Sequence, residues 1–295
     1  MSRFIGQENR IAFLGTSRRL GFVAAAVLAL AAAGRPASAA QINYGSHNGT
    51  HVTFVNVTED SGADEPLPLF GSPTVTGNSI DFNPVGYDAA RTGAGSEVTD
   101  SNLVFQVSAK SGSRIRSITF SEAGDTSLGG NVAPGTTDTA SAVFASGVLD
   151  IHEVDFVGIN HISVPFSFTF NPSGGTYFLG TDGGGGPIFQ TQWNGSVTVP
   201  VEQILIANGF TIAPGRDDPD SGATKISIDL DNTLQAVGQT GTSSTIAKKD
   251  FGAAVIRANV PGEPGGGLEL PEPASGVMIL ALAALGMRRR GRRAV

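Results

Sequence analysis

The chain has 295 residues, with 19 Lys and Arg against 26 Asp and Glu, and it contains no cysteine. The lack of cysteine excludes a disulfide framework, so stability must come from the burial of apolar side chains. The acidic balance excludes nucleic-acid binding, because phosphate recognition needs clustered Lys and Arg.

The first 39 residues have the pattern of an export signal. Four arginines precede an uninterrupted apolar run over residues 22–33, and small residues follow at 37–39. This order is typical of a signal peptide that signal peptidase removes, leaving a mature chain that begins at Ala40 or Gln41. Arg18-Arg19 also resembles a twin-arginine signal, so the export route stays open. A buried N-terminal helix is the alternative interpretation.

Charge is distributed unevenly between the ends and the body. The leader contains five Arg and one Glu, and the last eight residues contain five Arg. The rest of the chain therefore has 9 basic and 25 acidic residues, a net charge of −16. Such acidity favours solubility outside the cell and repels anionic lipid.

Residues 40–259 predict a single all-β domain, a jelly-roll-like antiparallel β-sandwich with little helix. The clearest strand runs from Ile162 to Phe170, where alternate side chains are apolar and share one face. Its Pro165 suits an edge position or a bulge. The other predicted strands are His51–Val57, Leu103–Val107, Arg114–Ser121, Val148–Val157, Trp193–Val199, Ile226–Leu230 and Phe251–Asn259.

One helix and one spacer complete the body. The helix is predicted at Val201–Ala207, and Asn208-Gly209 ends it. Residues 260–270 are rich in Gly and Pro and are typical of a flexible spacer.

The last 25 residues combine a short Pro-containing motif, an apolar run and an arginine cluster. The motif and cluster residues are Pro271, Glu272, Pro273, Arg288, Arg289 and Arg290. The apolar run of 14 residues ends at Met287. As a helix it would span about 21 Å, less than the roughly 30 Å of a bilayer core, and the arginines would hold its end on the cytoplasmic side.

This tail resembles the PEP-CTERM sorting signal of exported bacterial proteins, which an exosortase recognises. The resemblance implies an exosortase-type membrane enzyme as a partner and a chain that is transiently anchored by its C-terminal helix. The body would then reach the cell surface or the extracellular space. A plain membrane anchor or a disordered basic tail is the alternative.

The body also resembles PEP-CTERM proteins of unassigned function in four segments. These segments are residues 42–45, 119–125, 231–234 and 246–251. The resemblance implies a shared exported β domain, and it identifies no functional residue.

An acidic loop makes calcium the one candidate ligand. Its three carboxylates are Asp217, Asp218 and Asp220. Calcium takes six to eight oxygen ligands, which acidic loops supply. Pro219 and Ile228 occupy positions where an EF-hand has ligands, so that template is not met. An ordinary acidic turn is the alternative, and no other cofactor is predicted.

Catalytic patterns are weak, and the sequence does not predict an enzyme. The histidines are His47, His51, His152 and His161, and no Gly-x-Ser-x-Gly or zincin pattern accompanies them. Glu153 and Asp155 are expected to share one strand face and Asp150 to lie on the opposite one. Convergence of the three in a hydrolytic site is therefore not expected.

The combination predicts an exported structural or adhesive protein of the cell surface or extracellular matrix. A carbohydrate-binding module, with extracellular polysaccharide as partner, is the second hypothesis, and a secreted hydrolase is the third. A platform of Trp193, Tyr177 and Tyr87 on one exposed face would favour the second.

Overall fold

The computed structural model describes residues 40–61, 67–84, 86–130, 139–179, 188–212, 221–249 and 255–260. The strands are β1 (Ala40–Asn48), β2 (Val52–Ser61), β3 (Pro73–Thr76), β4 (Ser79–Phe82), β5 (Asp88–Thr92), β6 (Gly95–Ala109), β7 (Ser117–Gly130), β8 (Ala140–Val154), β9 (Val157–Ser167), β10 (Thr169–Asn171), β11 (Thr176–Phe178), β12 (Ile188–Val199), β13 (Ala223–Gly238), β14 (Thr242–Lys248) and β15 (Val255–Asn259). The helix α1 spans Val201–Ala207, and a 3-10 turn spans Ser173–Gly175.

The strands form two antiparallel sheets that face each other. Sheet A has the order β1-β2-β6-β13-β8-β11, with β9 also paired to β8. Sheet B has the order β10-β12-β7-β15-β4-β3, with β14 paired to both β7 and β5. An all-β sandwich is therefore confirmed for the described residues.

The core between the sheets follows from the period-2 alternation of the long strands. On β13, the side chains of Ile226, Ile228, Leu230 and Leu234 are buried, and the alternate positions 227, 229, 231 and 233 face outward. Sheet B contributes rings to the same layer, as shown by Phe120, which stacks on Phe166 of sheet A with centroids 4.5 Å apart. Burial of this apolar surface is the main source of stability.

The predicted strand Ile162–Phe170 is divided between the two sheets. Its first part is β9, an edge strand of sheet A in which Pro165 lies opposite Val148. Its last residues form β10, which pairs with β12 in sheet B. The predicted edge position of Pro165 is confirmed, because an edge strand tolerates a residue without an N–H group. The prediction that Ile162–Phe170 forms one continuous strand was wrong.

The predicted strand Val148–Val157 is also interrupted. Asp155 and Phe156 have φ values of 54° and 63°, and they form the two-residue turn that joins β8 to β9. Positive φ at both positions matches a type I′ hairpin turn, which Asn-Gly or Asp-Gly normally signals. Without such a signal, the sequence pattern placed Asp155 in a strand, and this was wrong.

The predicted helix Val201–Ala207 is confirmed with both of its ends. Val201 and Leu205 are buried on its inner side, and Glu202 pairs with Arg116. Gly209, with φ of 89°, follows the last turn, where a left-handed conformation ends helices readily. Within the described ranges, no helix combines the length and apolar character needed to cross a bilayer. The predicted leader 1–39, the spacer residues 261–270 and the tail 271–295 lie outside those ranges.

Candidate functional site: a buried lysine, glutamate and asparagine

Three polar residues point into the apolar layer because they occupy inward positions of their strands. Asn232 continues the buried face of β13, and Glu122 follows Phe120 on the inward face of β7. Lys248, at the end of β14, is also buried. We refer to these three residues, together with Tyr87 and Phe70, as the lysine cluster.

The ammonium of Lys248 lies between a carboxylate and an amide. Its Nζ is 2.9 Å from Glu122 Oε1 and 2.6 Å from Asn232 Oδ1. Glu122 and Lys248 belong to neighbouring strands of sheet B, whereas Asn232 belongs to sheet A. The cluster therefore connects the two sheets through polar contacts in the middle of the core.

Water has no access to these groups. The side chain of Lys248 is 0% exposed and that of Glu122 is 2% exposed. Taking a charged pair out of water costs several kcal/mol per ion, so a buried pair is weak as a device for stability alone. Its presence in the core therefore requires a separate explanation.

Aromatic rings enclose the ammonium. Nζ lies 4.8 Å from the ring centroid of Phe70 and 4.6 Å from that of Tyr87. Tyr87 also donates a hydrogen bond from its hydroxyl to the Asn232 backbone carbonyl at 2.6 Å, which fixes this part of β13. The rings hold the lysine side chain in one position and exclude solvent from it.

Burial changes the protonation of the cluster. Burial lowers the pKa of Lys248, and the charge of Glu122 offsets part of this effect. Burial, followed by the negative charge of Glu122, raises the pKa of Tyr87 well above its usual range. Tyr87 is therefore a neutral hydrogen-bond donor. The lowered pKa of Lys248 favours its neutral amine.

Two polar atoms of the cluster have no hydrogen-bond partner among the described residues. They are Glu122 Oε2 and Asn232 Nδ2, and both are buried. A cavity of about 10 Å³, lined mostly by apolar side chains and by Glu122, lies in the core. Buried polar atoms are nearly always satisfied, so two orphans on adjacent groups point to a chemical role or to a bound small molecule.

A second buried carboxylate, Glu59, contrasts with Glu122. Its Oε1 accepts hydrogen bonds from the N–H groups of Leu69 and Phe70 at 2.7 and 3.0 Å and from Ser101 at 3.2 Å. Its Oε2 accepts the hydroxyl of Tyr44 at 2.5 Å. Glu59 therefore has a full set of donors and anchors the loop before Phe70, a ring of the lysine cluster.

The three aromatic residues that would have favoured carbohydrate binding if exposed are buried. Trp193, Tyr87 and Tyr177 are 1%, 1% and 0% exposed, and all three belong to the core. Trp193 packs edge-on against Phe170, with centroids 5.8 Å apart. These residues stabilise the sandwich instead of presenting rings to a sugar.

The carboxylates considered for hydrolysis have separate partners. Asp150 accepts a hydrogen bond from Ser163, Glu153 pairs with Lys225 at 3.1 Å, and Asp155 pairs with Arg114 at 2.8 Å. The structure therefore does not bring the three together.

The histidines lie apart from the lysine cluster. His152 Nε2 is 2.7 Å from Ser227 Oγ, and the ring of His161 is 6.3 Å from that of His152. His51 Nδ1 lies 3.3 Å from Ser113 Oγ, and His47 Nε2 lies 3.1 Å from the Tyr44 carbonyl oxygen.

The predicted calcium ligands Asp217, Asp218 and Asp220 lie outside the described residues, as do all six residues of the sorting motif. Among the described residues, no three His, Cys, Asp or Glu side chains are arranged to hold a metal ion. The calcium site stays a prediction.

Sequence reasoning missed the lysine cluster, although a signal was present. Asn232 has the parity of Ile228 and Leu230, and Glu122 has the parity of Phe120. Polar residues at inward positions are the expected sign of a buried site.

Comparison with known proteins adds little to this description. The chain matches no protein-family model and no curated protein. Among solved structures, it is similar to the enzymatically active domain of tailspike protein 4 from bacteriophage CBA120. That likeness has 12% identity and a TM-score of 0.17, and it covers 72% of this chain and 19% of the tailspike chain. A TM-score this low carries no argument, so the class is defined by the fold itself, an all-β sandwich.

Proposed function

We propose that the protein is an exported structural or adhesive component of the cell surface or extracellular polymer matrix, sorted by its C-terminal tail. The proposal rests on the location of the reactive and aromatic side chains in the sandwich. Trp193, Tyr87, Tyr177 and the Lys248–Glu122 pair all lie between the sheets. There the aromatic rings pack the two layers together, which is the requirement of a domain whose role is to remain folded outside the cell.

The charge on the outer face of sheet A supports the proposal that the tail, and not surface charge, brings the chain to a membrane. Asp60, Asp100, Asp229 and Asp231 lie on the three adjacent strands β2, β6 and β13. Partial burial, and then the neighbouring Asp100, raises the pKa of Asp231. An acidic face of this kind is repelled by anionic lipid. A hydrophobic tail would therefore be needed to bring the chain to a membrane.

The finer parts of the proposal come from the sequence. Residues 1–39 act as the signal peptide, 40–259 as the jelly-roll-like body, 260–270 as the spacer and 271–295 as the sorting signal. An exosortase-type enzyme recognises Pro271-Glu272-Pro273 outside the bilayer, and Arg288–Arg290 stop the chain from passing through. Prolines keep the motif extended, because they disfavour helix.

The tail is tested by replacing Glu272 with Ala in the native host, with Glu263→Ala in the spacer as the matched control. We expect the control to lose its tail like the parent chain and Glu272→Ala to stay in the membrane fraction with its tail attached. Mass spectrometry of each fraction gives the result. Recovery of peptides through Arg293 from the released or surface fraction of the parent chain would contradict sorting.

The role of the body is tested by deleting the gene and measuring surface attachment and matrix retention. We expect both to fall and to recover with a copy of the parent gene. A copy without residues 271–295 should fail to restore them. Unchanged attachment and matrix in the deletion strain would reject the structural or adhesive role.

Carbohydrate binding remains the second candidate, and one side chain favours it. Phe144 is 50% exposed on the outer face of β8, beside Thr233 of β13. An exposed ring next to hydroxyl groups is suited to stacking on a sugar. Calorimetric titration with the host's own extracellular polysaccharide should then show binding that Phe144→Ala weakens. Equal titration curves for the two chains would exclude this face.

A further inference from the structure

The strongest unexplained feature of the molecule is the lysine cluster, in which a nucleophile, an acid–base group and an amide are in contact inside a dry core. We propose that the chain links itself covalently, by an isopeptide bond between Lys248 Nζ and Asn232 Cγ that Glu122 promotes. The bond would join sheet B to sheet A. This inference does not depend on the sorting tail or on any ligand.

The reacting atoms are close enough for attack. Nζ lies 2.6 Å from Asn232 Oδ1. Because a C=O bond is about 1.23 Å long, Nζ is at most about 3.8 Å from Cγ. Productive arrangements place reacting atoms about 3–3.5 Å apart, so a small shift of either side chain is sufficient. Tyr87 restrains the Asn232 backbone, and the Phe70 and Tyr87 rings restrain the amine.

One proton transfer within the cluster prepares the amine for the step. A buried lysine in an apolar pocket becomes a good nucleophile because burial favours its neutral form. Glu122, 2.9 Å from Nζ, receives the first proton of the ammonium. The resulting carboxylic acid can polarise the Asn232 carbonyl through Oε2, which has no partner within the part of the chain that the structure describes.

The atoms balance without any co-reactant. The starting state contains Lys–NH₃⁺, Glu–COO⁻ and the Asn carboxamide. The Nζ–Cγ bond forms and the Cγ–Nδ2 bond breaks. Of the three protons on Nζ, one stays on the new amide, one leaves on Nδ2 as ammonia, and one remains on Glu122. No oxidation or reduction takes place, and net charge is unchanged.

The product explains features that an ion pair leaves unexplained. Linking converts a buried ammonium and carboxylate into a neutral amide and a neutral acid, which removes the desolvation cost of both charges. Asn232 Nδ2, which has no partner among the described residues, is the atom that leaves. The cavity beside Glu122 is about the size of one small molecule, so ammonia has room to depart. Exclusion of water protects the step from hydrolysis.

Trypsin gives a direct test, because the two residues lie in one tryptic segment. Cleavage after Lys225 and Lys248 yields an unlinked peptide 226–248. A linked Lys248 cannot be cleaved, so the full chain, purified and denatured, should instead give peptide 226–249 lacking the mass of one ammonia. Chymotryptic cleavage after Leu234 should then leave two pieces that remain joined through the side chains.

Matched variants assign the roles. Glu122→Gln keeps both reacting residues and should lose the link completely, yielding peptide 226–248 at full mass. Glu153→Gln, which changes a carboxylate on the outer face, should stay linked. Acetylation of the denatured parent chain should leave a linked Lys248 unmodified. This test uses no variant, so it gives a result even if Glu122→Gln fails to fold.

Three results would overturn the proposal. One is a parent chain whose Lys248 is cleaved by trypsin and acetylated. The second is loss of ammonia with Lys248 still cleavable, since a succinimide at Asn232-Thr233 has that signature. The third is a link that persists in Glu122→Gln, which would remove Glu122 from the reaction.

Discussion

Trp193 lies directly across the β7–β12 ladder from Gly124, and its indole occupies the space that a side chain at Gly124 would need. A Cβ placed on Gly124 would be 2.3 Å from the Trp193 ring and 2.0 Å from the Ala247 carbonyl oxygen. The indole N–H donates to the Asp125 carbonyl at 3.2 Å, so the ring is held by a bond as well as by packing. Gly124, which is paired with Lys248 of β14 on its other side, therefore leaves the space that the Trp193 ring occupies.

Gly124→Ala should lower the free energy of unfolding by about 1–3 kcal/mol, because an added methyl group in a packed core forces side chains and backbone apart. Gly158→Ala is the control, since a Cβ there meets nothing within 4 Å. We expect that variant to be neutral or slightly more stable. Urea unfolding followed by Trp193 fluorescence gives both values, and equal losses would show that the indole can move aside.

Phe166→Ala should lower the free energy of unfolding by about 3–5 kcal/mol, because it removes a buried ring that stacks on Phe120 and leaves a cavity. Phe144→Ala is the matched control: the ring is of the same type but half-exposed, so its loss should cost less than about 1 kcal/mol. A similar midpoint shift in both variants would mean that β9 does not contribute to the core as described.

Lys248→Met should lower the free energy of unfolding by about 3–5 kcal/mol, because it leaves Glu122 buried without its partner. In a linked parent chain, Glu122 is already a neutral acid, and the loss would instead be about 3 kcal/mol, the value for opening a closed loop of about 15 residues. Adding Glu122→Gln to Lys248→Met removes the stranded charge and should restore part of the stability. If the added Glu122→Gln change restores no stability, Glu122 is not charged when Lys248 is absent. Thermal and urea unfolding of the single and double variants measure these terms.

Asp155→Asn should lower the free energy of unfolding at neutral pH, because it removes the charge that pairs with Arg114. The loss should be only about 1 kcal/mol, because solvent partly screens Asp155. Burial acts against the carboxylate, but hydrogen bonds from Arg114, Ser221 and the Gly222 N–H outweigh it and lower the pKa of Asp155 below its usual 3.8. A lowered pKa gives stability that is present above pH 3.8 and lost as pH falls through the folded-state value. The two chains should therefore converge in acid. A constant difference from pH 7 to pH 2 would exclude the charge as the cause.

Calcium should raise the melting temperature if Asp217, Asp218 and Asp220 bind it, because a ligand of the folded state stabilises that state. The triple Asn variant should lose the shift, and magnesium at equal concentration serves as the ionic-strength control. A melting curve that does not move across a millimolar calcium titration would leave an ordinary acidic turn.

Period-2 patterns predicted central segments of the long strands, and end signals predicted α1, because both kinds of signal are local properties of the sequence. The β9–β10 division was not predictable, since nothing within residues 162–170 states which sheet each half joins. The Asp155–Phe156 turn lacks Gly, and its left-handed conformation depends on contacts such as the Phe156 N–H bond to Thr224. The lysine cluster brings Glu122 of β7 to Lys248 of β14, 126 residues further along the chain, so only parity could have indicated its members.

The passage of the chain from β9 into β10 has a mechanical consequence. Phe168 sits at the crossing, and its N–H donates to the Ala145 carbonyl of sheet A one residue before β10 begins in sheet B. Tension applied to one layer is therefore passed to the other by the polypeptide itself within a few residues. We expect the two layers to yield under load in one step, without an intermediate in which one has peeled away.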